Sequence, residues 1–422
     1  PQRPMPVSLA ELIALIVAMM AMVALSIDMM LPALGTIAAD LGVENANDRQ
    51  YVISTFLIGF GVAQLIYGPL ADAFGRKRVF LAALGLYLIA TLVCIAAPSF
   101  ETLLAARFLQ GMTAAASRVI SVAIARDLTS GRRMAEVMSM VMTVFMIVPV
   151  LAPTLGQLVL FVAPWRWIFV FLFVFAVFVA VWMTIRLPET LRPEHRRPLK
   201  LVPIMQAFWE TTQHRLMLGY TLAGGVFFGG LYAFLNSAEQ VFAVHFALGE
   251  AFPLAFSAVA GAMAVTSFAN SRLVGRMGQR RLSHGALIAF TVISLAHTAI
   301  LLTGYDAFIP YTVLLAASMM LLGLIAANFS ALAMEQVGQR RLRFRHRRDG
   351  RDYRSGYRPA LQWHRPAARR RAGGDGCARN RHRAVDRAGP PVPDRRAGLV
   401  LGFFLERAIK APAIALALPQ QG

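Results

Sequence analysis

Ten times before residue 335 the chain runs through roughly twenty apolar residues and then turns polar: 9–34, 51–70, 79–97, 103–124, 136–161, 165–185, 217–238, 252–270, 283–303 and 309–334. A helix needs about 20 residues to cross a hydrocarbon layer ~30 Å thick. Inside that layer every backbone N–H and C=O must find its partner within the protein, which a helix achieves by itself. Membrane strands would be shorter and would alternate in polarity. An all-α polytopic membrane protein is therefore expected, and a content of 57% hydrophobic and 15% charged residues fits no ordinary soluble domain. The first block is too long for a signal-peptide core and reads as the first membrane helix. Cys94 and Cys377 form neither a disulfide framework nor a metal-binding pattern.

The loops set an orientation. Those after even-numbered spans hold sixteen Lys and Arg residues, whereas those after odd-numbered spans hold Arg49 and Arg166 alone. Basic residues stay in the cytoplasm, so the N-terminus is expected there. The longest connection, 186–216, contains LPETLRPEHRRPLK and reads as a cytoplasmic linker between an N-terminal six-helix half, 1–185, and a C-terminal half, 217–422. The loop GPLADAFGRKRVFL after the second span is echoed by SRLVGRMGQRRLSH after the eighth, with Gly75 aligned to Gly278. Two halves repeated in parallel suit a transporter that rocks about a central site. No phosphate-binding loop, HExxH or GxSxG in a fitting context is present, so an enzyme is not expected and transport must draw on a gradient.

GPLADAFGRKR, with Gly68, Asp72, Gly75, Arg76, Lys77 and Arg78, resembles the GxLaDrxGrkr signature of the major facilitator superfamily. SIDMMLPAL from Ser26, RFLQGMTAAASRVISVAIARDL from Arg107, PVLAPTLGQ from Pro149, WRWIF from Trp165 and LPET from Leu187 are similar to the corresponding phrases of its Bcr/CflA-type drug:proton antiporters. The resemblance covers about 9–339. Departures are Met30 for a usual Tyr, Gln157 for a usual Gly, and NSAEQVF after the seventh span for a usual Ser-Pro pair. It implies a twelve-span fold, export of amphipathic small molecules by proton antiport with alternating access, no cofactor beyond the proton gradient, and a monomer. A facilitator of the same fold that moves a metabolite without protons is the alternative.

Several residues are candidates for that work. Asp28, an ionisable group in an apolar helix, costs about 2.5–3.5 kcal/mol to insert and so points to a pathway or a partner. Asp28 would take up a proton, or meet a cationic substrate, in a central cavity, and desolvation favours the neutral carboxyl that such proton exchange needs. Arg107 would bias that carboxylate, and Arg118, eleven residues on, faces either the cavity or Asp127. Gln110 and Gly111 would supply a polar contact and close packing. Pro149, Pro153 and Gly156 fit a bend where two halves seal or hinge. Tyr232 and Asn236 read as cavity liners, and the glycine pairs 224–225 and 229–230 as packing and gating positions. In the motif of Gly68 to Arg78 the glycines permit a tight turn and Asp72 pairs with a base or a helix end.

One segment contradicts everything before it. Arg340–Arg396 holds 19 Arg and no Lys, 5 Asp and no Glu, and neither Ile nor Met, where the eleventh span and most of the twelfth are expected. Such a stretch cannot cross a bilayer. Taken literally it is a cationic tail for anionic lipid or RNA, or it leaves the product inactive. Its composition instead suits a GC-rich gene translated out of frame. One nucleotide on, YRPALQWHRP from Tyr357 permits TGQRFSGTV, similar to the IGQxFxGT phrase that the antiporter group carries between its last two helices. After Arg396, AGLVLGFFLERAIK again reads as the end of a membrane helix. Two compensating frame shifts are expected, with no role in nucleic-acid binding.

Overall fold

The computed structural model describes residues 7–348, except 46, 130, 197, 200–204, 207, 208, 210, 211 and 214. Compactness divides the chain into Pro1–Gly338 and Gln339–Gly422. All regular elements among the described residues are helical: α1 Leu9–Asp28, α2 Leu34–Asp40, α3 Tyr51–Phe74, α4 Arg76–Ala96, α5 Phe100–Leu128, α6 Gly131–Val162, α7 Arg166–Arg186, α8 Arg215–Glu239, α9 Phe252–Met277, α10 Gln279–Leu302 and α11 Phe308–Arg348. Nine helical stretches among them are long and apolar enough to cross a membrane, and the apolar part of α6 adds a shorter one, Ile147–Val162. The ten expected spans are thus all helices. Several run past their expected limits, and three by the most: the first continues through a break to Asp40, α9 reaches Met277, and the last helix extends to Arg348. The Arg-rich segment beyond Arg348, and the helix end expected after Arg396, lie outside the described residues.

Local chemistry sets the helix ends. Ser8 and Ser99 cap α1 and α5, accepting hydrogen bonds from the backbone N–H of Glu11 at 3.2 Å and Thr102 at 3.3 Å. Pro32 has no N–H to return to the carbonyl of Asp28, and the chain passes through a 3₁₀ turn, Leu31–Ala33, before α2. Gly75 separates α3 from α4 at φ 106°, ψ 151°, and Gly278 separates α9 from α10 at φ 79°, ψ 150°. Both occupy the region that L side chains avoid, so the two positions aligned in sequence share one backbone solution.

Helices α1 to α7 pack tightly. The contact of α3 with α5 is the most extensive, and α5 also meets α4 and α1, while α1 meets α6 and α7. At the α3–α5 crossing, a Cβ on Gly111 would run into the backbone of Phe56, and one on Gly59 into the carbonyl of Phe108. Small residues here let backbones touch where no hydrophobic effect drives helices together. Gly111→Val is expected to lower stability by about 1–3 kcal/mol, the usual cost of overpacking. Thermal denaturation in detergent measures it, and an unshifted midpoint would contradict the packing described. Large apolar side chains cover the outer faces, such as Leu86, Ile89 and Val93 on α4 and Val174, Phe178 and Ile185 on α7, as lipid contact requires. The glycines of α8 differ from expectation: a Cβ at Gly224, Gly225 or Gly229 would meet nothing within 4 Å among the described residues, and at Gly230 only Leu322 at 3.8 Å.

Candidate functional site

The helical hairpins bring residues 72–78, 126–128, 186–196 and 272–281 to one end of the bundle, the basic end. Three of the quoted phrases converge there. Across the Gly75 turn, Arg76 pairs with Asp72 at 2.6 Å and with Asp127 at 3.2 Å. Its backbone N–H donates to Glu189 Oε1 at 2.8 Å, and Thr190 donates to Asp127 at 3.3 Å. Lys77 donates to the carbonyl of Thr184 at 2.8 Å. Arg78 is exposed, and a Cβ on Gly68 would meet nothing within 4 Å. The acids that complete this cluster, Asp127 in ARDL and Glu189 in LPET, were visible only as parts of phrases. Their charge opposite a basic loop was the signal.

A second polar group lies inside the α1–α7 layer. Arg107 is 0% exposed. It donates through Nε to the carbonyl of Val52 at 3.0 Å, through one terminal nitrogen to Gln110 Oε1 at 2.7 Å, and through the other to the carbonyl of Ser26 at 3.0 Å. Gln110 donates to Thr91 at 2.8 Å, Thr91 to the carbonyl of Tyr87 at 2.7 Å, and the hydroxyls of Tyr87 and Ser26 share a bond of 2.6 Å. The Phe56 ring faces the guanidinium, 4.5 Å from its centroid. Arg107 is therefore no surface-seeking side chain. Nor is it brought onto the Asp28 carboxylate: it reaches α1 two residues earlier, at a backbone carbonyl.

Asp28 ends α1 at the break made by Pro32. It is 3% exposed, and its Oδ1 has no hydrogen-bond partner among the described residues. The turn Leu31–Ala33 that follows it packs against α8, the helix that carries Tyr232. Arg118 is half-buried and does not bond Asp127, which Arg76 and Thr190 occupy. The break after Asp28 thus meets α8, while Arg107, itself bonded to Gln110, holds α1 at the Ser26 carbonyl. Gly156 closes the other side: a Cβ there would strike the backbone of Met29. Between Pro149 and Pro153, which α6 accommodates without ending, the Val150 carbonyl accepts a bond from Ser257 of α9 at 2.7 Å. The Pro149–Gly156 stretch thus touches the α1 break on one side and α9 on the other.

At the end opposite the basic loops, α8 is tied to the α2–α3 region. Arg49 pairs with Glu239 at 3.2 Å, Gln50 donates to Gln240 at 2.5 Å, Gln240 to Asn47 at 2.6 Å, and Ser54 to Asn236 at 3.1 Å. Asn236, expected as a cavity liner, is one of these ties. Arg166 pairs with Asp40 at 2.5 Å, and Trp165 donates to the same carboxylate at 3.0 Å. Arg49 and Arg166, the two basic loop residues at this end, are thus each matched by an acid. Glu239 and Gln240 lie in NSAEQVF, where the sequence departs from the pattern it otherwise resembles.

Residues 11–344 match the family model described as Major Facilitator Superfamily. An uncharacterized MFS-type transporter, YdgK of Bacillus subtilis (strain 168), is 31% identical over 321 residues, 75% of this chain and 79% of the relative. A bicyclomycin resistance protein homolog of Haemophilus influenzae is 33% identical over 62% of this chain and 66% of its own length. Multidrug resistance protein MdtL of Salmonella typhi is 32% identical over 64% and 69%. Among solved structures, the xylose transporter XylE from E. coli shares the fold with a TM-score of 0.60 at 13% identity, over 77% of this chain and 84% of that one. The human organic anion transporter MFSD10 (TETRAN) does so with a TM-score of 0.54 at 18% identity, over 78% and 89%.

Proposed function

The chain belongs to the Major Facilitator Superfamily, and from that membership we propose that it exports amphipathic small molecules across a bacterial inner membrane in exchange for protons. The observation that carries the proposal is Asp28: a buried carboxylate at a helix break, its Oδ1 without a hydrogen-bond partner among the described residues. A carboxylate that no described cation pins can hold a proton in one state of the cycle and a substrate group in another. Relatives named for bicyclomycin and multidrug resistance support the substrate class. The 16-to-2 division of basic loop residues supports a cytoplasmic N-terminus.

In this reading, halves 1–185 and 217–422, joined by 186–216, rock about Asp28 as a monomer. The Pro149–Gly156 stretch serves as hinge, and Asp72–Arg76–Asp127 serves as a brace on the cytoplasmic side. Arg107 and Gln110 hold the α1 backbone next to Asp28 in place. Efflux of a fluorescent amphipathic dye from cells tests the reading: a protonophore is expected to stop it, whereas a proton-independent facilitator would continue.

The same reading treats 340–396 as a lost eleventh helix and most of a twelfth. The family match ends at 344, inside the Arg-rich run, and the glycine faces of α8 stand open among the described residues. Sequencing the DNA across codons 335–400 is expected to reveal a shift near each end of the run. Uninterrupted in-frame arginine codons, with the neighbouring frame closed by stops, would contradict it.

A further inference from the structure

Glu239 is a second buried carboxylate, and the site around Asp28 does not use it. It ends α8, and its side chain and that of Arg49 are only 8% and 11% exposed. Both pack over Gly35 of α2, where a Cβ would sit 3.8 Å from each. Arg49 is the charged group that meets Glu239, at 3.2 Å. Of the others nearby, Asp40 is held by Arg166 and Trp165, and Asp306 by His245. Asp48 flanks Arg49 on the same turn, and Glu250 is exposed on the turn Gly249–Ala251.

The chain just after Glu239 is built as a joint. Gln240–His245 is a π-helix, a form found at functional irregularities, and Ala247 takes φ 52°, rare for a residue with a Cβ. The neutral bonds of Gln240 to Gln50 and Asn47, and of Asn236 to Ser54, fix the register of the closure. The ion pair, a 3.2 Å contact whose Arg49 Nε and Glu239 Oε2 are not aligned as a hydrogen bond, is its single charged contact among the described residues.

We propose that Glu239 and Arg49 form a proton-operated latch, Glu239 taking up a proton at the mouth of the bundle before one reaches Asp28. The inference rests on the proton-antiport reading above. The step balances simply: a proton from water adds to the Glu239 carboxylate, the ion pair ends, and Arg49 keeps its charge and gains water. The sign follows. The ion pair is present when Glu239 is ionised, so the mouth is held shut at high external pH and released as pH falls. A protonated Glu239 leaves Gln240 and Asn236 as the remaining ties, each a neutral bond that water replaces at small net cost. External acid would then open the side from which protons enter, as antiport requires.

The full chain is reconstituted in nanodiscs with spin labels at Glu44→Cys and Glu250→Cys, in a background with Cys94→Ala and Cys377→Ser. The distance distribution across the mouth is then measured between pH 8 and pH 5. The ratio of long to short distances is expected to rise by up to about tenfold per pH unit, the limit for one linked proton. Glu239→Gln and Arg49→Gln should each hold the long distance at both pH values, with the ratio changing less than about twofold. The exchanged pair Arg49→Glu with Glu239→Arg should restore a short distance at pH 8 and opening in acid, which separates a lost latch from a damaged fold. A Glu239→Gln protein that still opens in acid like the parent, or stays shut throughout, overturns the latch. The labelled Asp28→Asn protein separates the two ideas: if its mouth still responds to pH while its export stays proton-driven, the antiport role of Asp28 fails and the latch stands.

Discussion

Asp28→Asn is expected to abolish export driven by a pH difference while leaving the bundle folded. Asparagine has the size of aspartate but no proton to exchange. Oδ1 makes no hydrogen bond among the described residues, so the change breaks no tie there and the melting temperature should hold or rise. Removing a proton-transferring group commonly costs 10²-fold or more, and coupled efflux should fall by about that factor. Asp28→Glu keeps the chemistry but moves it by one methylene against a packed α1 break, so partial activity is expected. Dye efflux from energised cells measures all three proteins. Undiminished pH-driven efflux by Asp28→Asn would remove the carboxylate from the mechanism.

Arg107→Ala carries the second large expected effect, on stability more than on coupling. The guanidinium supplies three hydrogen bonds, to Val52, Ser26 and Gln110, and fills space that no water reaches. Truncation leaves those acceptors without a charged donor and opens a void the size of the side chain, together about 3–5 kcal/mol. Arg107→Lys should recover little, because a single ammonium cannot reproduce a planar fork that reaches three acceptors on three segments. Thermal melting of detergent-solubilised protein, followed by size-exclusion chromatography, is the measure. A melting point within about 2 °C of the parent would mean the network contributes little. Efflux corrected for folded protein separates stability from coupling, since the structure gives Arg107 no direct bond to Asp28.

The helical class and the span order were legible because apolar runs of membrane length admit one backbone solution. The Gly75 and Gly278 turns were legible for a similar reason: a residue that must take positive φ between two helices leaves a glycine behind in each repeat. Gly111 was read as a close-packing position and Gly156 as part of a bend, and both meet backbone, at Phe56 and Met29. What the sequence concealed is pairing. Nothing in the chain order joins Arg49 to Glu239, 190 positions apart, or Asp127 to Arg76; such contacts depend on how helices rotate about their axes. Arg107 was conspicuous as a charge in an apolar span, yet its partners are backbone carbonyls, which every residue carries and none advertises. The glycine pairs of α8 had the spacing of a packing motif, but that spacing does not say which neighbour comes close.

In the proposed function, substrate movement and proton movement are one event. The most direct measurement reconstitutes the full chain in liposomes with a pH-sensitive dye inside, imposes no other gradient, and adds an amphipathic drug on one side. The parent protein is expected to move protons opposite to the drug, at a rate that saturates with drug concentration, and Asp28→Asn is expected to move neither above the protein-free background. Drug uptake by the parent protein with the internal pH unchanged would contradict the account.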